Sequence, residues 1–183
     1  MISAVITHLG GEGRLAASLA ALAPAAIDGL VREALVVDVG AGAAAREVAE
    51  DAGARAIVAV GEAEGLAAAC AAARGPWLLI LPAGARLQSG WEAAARRHID
   101  RQPGRAGWFA LAVDDDGPAA RLSEVVAALA AGWFARPSTR QGLLINQRLY
   151  DQVVADAKVI DHKTLTRNLG PRRLCPLGVR ALS

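Results

Sequence analysis

Residues 2–40 read ISAVITHLGGEGRLAASLAALAPAAIDGLVREALVVDVG, and the pattern of apolar residues in this segment indicates the fold class. The apolar, β-branched run Ile2–Thr7 is typical of a buried strand, and Arg14–Leu22 has the alanine-rich composition of a helix. A second β-branched run follows at Glu33–Val39. Strand, helix and strand in this order predict a βαβ unit and therefore a parallel sheet.

The same alternation continues through the first half of the chain. The next predicted elements are a helix around Glu47–Ala52, a strand at Arg55–Val60, a helix at Gly65–Arg74 and a strand at Trp77–Leu81. Pro24 is expected to interrupt the first helical region, because proline removes a helix hydrogen bond. The continuous apolar character of the strands indicates a sheet covered on both faces.

The second half is less regular. Its predicted elements are a helix at Gly90–Asp100, a strand at Gly107–Val113, a helix at Arg121–Ala135, a strand at Gln141–Asn146, helices at Gln147–Val154 and Asp161–Leu169, and an extended piece at Leu174–Ala181. No linker and no internal repeat separates these elements. We therefore expect one domain over residues 1–183.

Composition and charge exclude several classes of partner and site. The chain has 20 basic and 18 acidic residues, a balance that argues against binding nucleic acid through phosphate neutralisation. No apolar run approaches the roughly 20 residues that cross a bilayer, so we expect a cytoplasmic protein, with the inner membrane face as an alternative. The apolar segment Val125–Phe134 is expected to be a core helix, although a membrane surface or a second copy could also cover it. Cys70 and Cys175 lack metal-ligand spacing, which favours two buried free thiols.

Glycine-rich loops follow most of the predicted strands. In an open parallel sheet, ligands bind outside the carboxyl ends of the strands, so the informative segments come directly after them. These segments are Thr7–Leu15, Asp38–Gly42, Gly61–Glu64 and Pro82–Arg86. We expect them to meet at one edge of the sheet. His98, by contrast, is expected on an exposed helix.

Several of these segments are similar to motifs of family 2 glycosyltransferases. Thr7-His8-Leu9-Gly10-Gly11-Glu12 stands where the family has Pro-Thr-Leu-Asn-Glu-Glu, and Asp38-Val39-Gly40-Ala41 where it has Asp-Gly-Gly-Ser. Further along, Gln141–Ile145 is similar to an Asp-Gln-Gly-Leu segment, and Arg172–Val179 to the closing strand. On these motifs the chain resembles a divergent bacterial member of the family.

The resemblance implies an α/β protein with the GT-A fold, a three-layer sandwich around a mostly parallel central sheet. Residues 1–86 would form the nucleotide-binding half and residues 87–183 the acceptor half. The implied activity is transfer of a sugar from a UDP- or GDP-sugar donor to an acceptor that the sequence does not name. The nucleotide-binding residues would be His8, Glu12, Asp38, Gly84 and Arg86.

Asp38 has two interpretations. The resemblance places its carboxylate against the nucleotide, where it could accept hydrogen bonds from ribose hydroxyls or a pyrimidine N–H. Alternatively, it caps the following helix by accepting from backbone N–H groups. The sequence leaves both open.

The position after the fourth strand departs from the family. Most members carry an Asp there that holds a divalent cation against the donor diphosphate, whereas this chain has Pro82-Ala83-Gly84-Ala85. Hard cations prefer oxygen ligands, and Gly84 has none to offer. We therefore expect no metal site and no divalent-cation cofactor. Arg86 could supply a positive charge instead, although the family often has Arg at this position.

The candidate general base is Asp161, because the family's base is the Asp of a Glu-Asp pair that opens a late helix. Here the pair reads Ile160-Asp161, so the companion carboxylate is absent, and Arg140 stands where an Asp is usual. Asp161 followed by His162 is equally expected to be a simple helix N-cap. These departures favour a second hypothesis, a catalytically degenerate relative that acts through binding or assembly.

A third hypothesis comes from the first loop alone. Gly11-Glu12-Gly13-Arg14-Leu15-Ala16 matches the pattern G-x-G-x-x-A between a strand and a helix, and Asp38 ends the next strand. Such a pattern is typical of NAD-binding Rossmann proteins. It is a weak signal in a chain so rich in glycine and alanine.

Overall fold

The computed structural model describes residues 1–8, 12–40, 42–112, 142–155 and 161–182. Two features predicted from the sequence therefore lie outside the described residues: the helix Arg121–Ala135 with its apolar segment Val125–Phe134, and the departures at Arg140 and Ile160. The described ranges include the whole first half of the chain except residues 9–11 and residue 41.

Most predicted elements are present with shifts of a few residues at their ends. The strands of the described part are β1 (Ile2–His8), β2 (Val31–Asp38), β3 (Arg55–Val58), β4 (Trp77–Pro82), β5 (Arg86–Leu87), β6 (Ala106–Ala112), β7 (Leu143–Asn146) and β8 (Leu174–Leu182). The helices are α1 (Glu12–Ile27), α2 (Ala43–Asp51), α3 (Glu62–Ala72), α4 (Trp91–Arg101), α5 (Gln147–Ala155) and α6 (His162–Leu169), with a short 3₁₀ turn at Pro171–Arg173.

One eight-stranded sheet joins these strands in the order β3-β2-β1-β4-β7-β6-β8-β5. The first four strands along the chain pair in parallel, as the βαβ pattern predicts. β7 runs antiparallel to both β4 and β6, and β5 runs antiparallel to β8. Because β6 and β8 pair in parallel, six of these strands point the same way. The predicted mostly parallel sheet is confirmed.

Alternating strand residues build one core on each face of the sheet. In β4, Leu79 and Leu81 pack with the helices of one face, and Leu78 and Ile80 with those of the other. The first core also contains apolar residues of α1, α2 and α4, and the second contains those of α3, α5 and α6. Helices on both faces of a covered sheet give the predicted three-layer sandwich.

The expected break at Pro24 is wrong, because α1 runs unbroken to Ile27. Pro24 lies on the exposed face, while Leu22 and Ala25 on the other face are buried in the core. A proline inside a helix costs about 3 kcal/mol. Burial of the neighbouring apolar face offsets that cost, and the chain turns only at Gly29, whose φ is 68°.

Close packing of α3 on β2 fixes where the loop after β3 ends. A Cβ on Gly65 would overlap the side chain of Val37, so only glycine allows the helix to approach this strand. The close approach brings the first turn of α3, with Glu62, beside the carboxyl end of β2.

Candidate functional site

The carboxyl ends of β1, β2 and β4 meet at one edge of the sheet, as the loop positions predict. The strand register pairs His8 with Asp38 and Thr7 with Pro82. The Ala83 N–H then donates to the carbonyl of Thr7 at 2.9 Å, which continues the pairing into the loop. Three of the four predicted segments are therefore adjacent.

His8 and Glu12 are placed only by their backbones. His8 is the last residue of β1, and Glu12 is the first residue of α1. Their side chains lie outside what the structure describes. Both residues flank the candidate edge, and their part in ligand binding stays a prediction.

Asp38 is buried at the end of β2, with 3% of its surface exposed. Its Oδ2 lies 3.9 Å from Nε of Arg46, a half-exposed residue of α2. A buried carboxylate is costly unless a partner compensates its charge, and Arg46 is one such partner. The N-cap position of α2 belongs to Gly42, so Asp38 is not the N-cap residue that the alternative interpretation required.

The loop after β4 is fastened to α1 by Ser18. The Gly84 N–H donates to Ser18 Oγ at 2.9 Å, and the same hydroxyl donates to the Ala85 carbonyl at 3.0 Å. Ser18 is fully buried, and Gly84 has a φ of 98°, a conformation that favours glycine. Sequence analysis missed Ser18, although a single serine on the buried face of an alanine–leucine helix was a usable signal.

Arg14 lies against the same loop, one helical turn before Ser18. A Cβ placed on Gly84 would come within 3.2 Å of Arg14 Cδ and 3.6 Å of its Cβ and Cγ. The aliphatic part of Arg14 thus covers the space where a side chain at position 84 would start. Arg14 was not predicted as a site residue, because nothing in the sequence connects it with a loop 70 residues away.

Gly84 and Arg86 therefore have different surroundings. Gly84 is held inside the turn, whereas Arg86 is exposed and belongs to β5, whose backbone pairs with Leu182 of β8. Among the residues that the structure describes, no group of three His, Cys, Asp or Glu side chains is placed to hold a metal ion.

Asp161 caps α6, as one of its two interpretations predicts. Its Oδ1 accepts a hydrogen bond from the Thr164 N–H at 2.6 Å. Hydrogen bonds from Thr164, helped by the charges of Lys163 and Arg167, hold the pKa of Asp161 below its usual range. The carboxylate is consequently ionised at neutral pH, a state that both a cap and a base require.

Glu62 is a second carboxylate near Asp161 that sequence analysis did not single out. It belongs to the first turn of α3, in the segment that follows β3. Burial, and then the charge of Asp161, raise the pKa of Glu62 above its usual value. The two carboxylates therefore interact electrostatically, although they are 99 positions apart in the sequence.

Two other titratable groups are structural. The expectation that His98 is exposed is wrong: it is 5% exposed, its Nε2 donates to the Arg105 carbonyl at 2.9 Å, and its ring packs edge-on against Trp77. Burial lowers the pKa of His98. Burial raises the pKa of the Cys70 thiol to about 12, which makes it unreactive, while the other free thiol, Cys175, is half-buried.

No family model and no curated protein matches the sequence. Solved structures do match it. A glucosyl-3-phosphoglycerate synthase from Mycobacterium tuberculosis, in complex with Mg²⁺ and UDP, is 17% identical, with a TM-score of 0.67 over 96% of this chain and 68% of that chain. The chain has the GT-A glycosyltransferase fold. At such low identity the likeness concerns the fold.

Two further structures of the same mycobacterial enzyme agree. The complex with Mn²⁺, UDP-glucose and phosphoglyceric acid is 18% identical, with a TM-score of 0.64 over 98% of this chain and 70% of that chain. The complex with Mn²⁺, UDP and phosphoglyceric acid is also 18% identical, with a TM-score of 0.59 over 82% of this chain and 57% of that chain. The GT-A chain described here thus spans 57% to 70% of the length of these structures.

The neighbours overturn one expectation and weaken one alternative. The expected lack of a divalent-cation cofactor is wrong, because structures of this fold hold UDP together with Mg²⁺ or Mn²⁺. The glycine at position 84 therefore decides nothing about a cation. The NAD hypothesis fits the fold less well, since the antiparallel β7 interrupts the doubly wound order of Rossmann proteins.

No helix in the described ranges is long and apolar enough to span a membrane.

Proposed function

We propose that this chain is a glycosyltransferase domain that binds a UDP-sugar at the carboxyl edge of its sheet and transfers the sugar to an acceptor hydroxyl. The observation that carries the proposal is the convergence of the carboxyl ends of β1, β2 and β4 at this edge, in a sheet with the GT-A topology. The mycobacterial structures of the same fold contain UDP or UDP-glucose, which supports uridine over guanosine. Residues 1–86 would bind the donor and residues 87–183 the acceptor.

Asp38 would recognise the nucleoside. Its carboxylate is fixed by burial and by Arg46, and it lies where a ligand entering from the edge would meet the end of β2. Ribose hydroxyls and a pyrimidine N–H are hydrogen-bond donors that match the acceptor oxygens of a carboxylate. His8 and Glu12, at the neighbouring ends of β1 and α1, would contact the same nucleotide.

Gly84 and Arg86 would line the diphosphate part of the site. Because Gly84 has no side chain, the aliphatic part of Arg14 packs directly over its backbone at this edge. Arg86 adds an exposed positive charge at the start of β5, two residues further on. Attraction between this charge and an anionic donor is the contribution that we assign to it.

Asp161 would act as the general base. An ionised carboxylate at a helix N-terminus can accept the proton of the acceptor hydroxyl while the sugar leaves the nucleotide. The Thr164 N–H fixes the orientation of the carboxylate before any acceptor arrives. The same contact also explains Asp161 as a cap alone, so a nucleotide-binding protein without transferase activity is the second candidate.

Calorimetric titration with UDP, GDP and NAD, each with and without Mn²⁺, tests the donor assignment. We expect UDP to bind and NAD not to bind. Asp38→Asn should weaken UDP binding about 10-fold or more, since a hydrogen bond to a charged group contributes roughly 1.5–3 kcal/mol. Asp100→Asn, at an exposed position on α4, is the matched control and should bind like the wild type. Tight NAD binding without UDP binding would refute the proposal.

A pair of substitutions at Asp161 separates catalysis from capping. Asparagine is as good an N-cap as aspartate, so Asp161→Asn should keep the stability and the UDP affinity but abolish sugar transfer from a UDP-sugar. Asp161→Ala should in addition lower the free energy of unfolding by about 1 kcal/mol. Unchanged turnover in Asp161→Asn would show that Asp161 is only a cap. Lack of any transfer by a wild type that binds UDP would favour the second candidate.

A further inference from the structure

Arg14 lies at the candidate donor site, and the proposed function assigns it no role. Its Cβ, Cγ and Cδ all lie within 3.6 Å of the place that a Cβ on Gly84 would occupy. The guanidinium starts one covalent bond beyond Cδ. It is therefore beside the loop after β4, at the edge where the ends of β1 and β2 meet.

The loop under Arg14 has a fixed shape. Ser18 accepts from the Gly84 N–H and donates to the Ala85 carbonyl, and it comes from the same face of α1 as Arg14, four positions later. The Ala85 N–H closes the turn on the Pro82 carbonyl at 3.0 Å. The loop after β4 and the backbone of Arg14 thus keep one relative position, while the Arg14 side chain is exposed at this edge and accessible to a ligand.

The chemistry of Arg14 selects an anion with several oxygens. A guanidinium is always charged and presents a planar fork of N–H donors that matches phosphate oxygens. Charge-assisted pairs of this kind are about twice as strong as neutral hydrogen bonds. The aliphatic part of Arg14 covers Gly84, so such an anion would bind at the guanidinium beyond Cδ and not over the Gly84 backbone itself.

We infer that Arg14 is a further donor-site residue, which binds the diphosphate of the nucleotide sugar beside Gly84. The inference rests on the proposed function, because the diphosphate belongs to the proposed donor. When the sugar leaves, negative charge increases on the diphosphate oxygens, and Arg14 stabilises that charge. Arg14 binds the diphosphate whether or not a cation accompanies the nucleotide.

Comparison of UDP with uridine tests this role, because only UDP carries the diphosphate. Calorimetry in the presence of Mn²⁺ is done on the wild type, Arg14→Gln, Arg14→Lys and Arg14→Met. We expect Arg14→Gln and Arg14→Met to bind UDP at least 10-fold more weakly and to bind uridine like the wild type. Arg14→Lys, which keeps the charge but not the fork, should lie between. Arg14→Met retains an apolar stem over the loop, so it separates loss of charge from loss of cover.

Arg97→Gln is the matched control, since Arg97 is an exposed arginine on α4. It should bind UDP like the wild type. UDP affinity unchanged in Arg14→Gln, or an equal loss for UDP and uridine, would overturn the role of Arg14 and leave the proposed function intact. A wild type that binds no UDP would overturn both. Thermal melting of each variant confirms that the compared proteins are folded.

Discussion

Removal of the Ser18 hydroxyl tests whether α1 holds the loop after β4. Ser18→Ala deletes two hydrogen bonds, to the Gly84 N–H and the Ala85 carbonyl, at a fully buried position. At roughly 1 kcal/mol net for each bond, the free energy of unfolding should fall by about 2 kcal/mol. For a chain of this length that corresponds to a melting temperature lower by about 4–8 °C.

Urea denaturation and calorimetric melting measure this loss, with Ser89→Ala as the control at an exposed serine. The control should change the free energy of unfolding by less than about 0.5 kcal/mol. UDP affinity should also fall in Ser18→Ala, because Gly84 and Arg14 no longer keep one relative position. A loss in Ser18→Ala as small as that of Ser89→Ala would refute the reasoning, since the hydroxyl would then not hold the turn.

Three further substitutions address other features of the fold. Gly84→Ala should lower the free energy of unfolding by about 1–3 kcal/mol, because a φ of 98° strains any other residue and the new Cβ would press on Arg14. Gly104→Ala, at a position with open space around it, is the control in the same urea titration. Burial lowers the pKa of His98 in the folded state, so the wild type should lose stability as the pH falls below about 6.5. The urea midpoint of His98→Gln, measured between pH 5 and 8, should depend less on pH than that of the wild type. Steeper dependence in the variant would contradict the burial of a neutral ring. Burial raises the pKa of Glu33, but hydrogen bonds from Ser3 and Arg74 outweigh it and lower the pKa below its ordinary value. Ionised Glu33 therefore stabilises the fold above its ordinary pKa, and this stabilisation is lost as the pH falls through the lowered value. In an acid titration followed by circular dichroism, Glu33→Gln should lose less stability with falling pH than the wild type.

Sequence reasoning predicted the elements whose signal is local. β4 is an uninterrupted apolar run, and its burial on both faces is what such a run indicates. The position of Asp38 and of the loop that contains Gly84 at the same edge of the sheet also followed from the sequence, because parallel strands end at one edge. Pro24 was interpreted wrongly, since a local rule about proline was overridden by packing of the opposite helix face.

The missed parts of the site depend on contacts between distant positions. Ser18 contacts residues 66 and 67 positions away; its place on the buried helix face indicates a buried hydroxyl, but the sequence does not identify its partners. The interaction of Glu62 with Asp161 likewise needs α3 and α6 to be on the same face of the sheet. The antiparallel direction of β7 was also not visible in its apolar sequence, which is compatible with either direction.

The attachment of the loop after β4 to α1 has a practical consequence for testing the proposed nucleotide-sugar donor. α1 contributes Leu15, Leu19 and Leu22 to a core shared with the sheet. Because the loop is attached to this helix, a nucleotide that binds the loop should raise the free energy of unfolding of the whole domain. A ligand present at 100 times its dissociation constant adds about 2.7 kcal/mol to the unfolding free energy. That amount corresponds to a melting shift of roughly 5–11 °C for a domain of this size. A panel of nucleotide sugars can thus be ranked by fluorescence thermal shift alone, before any acceptor is known.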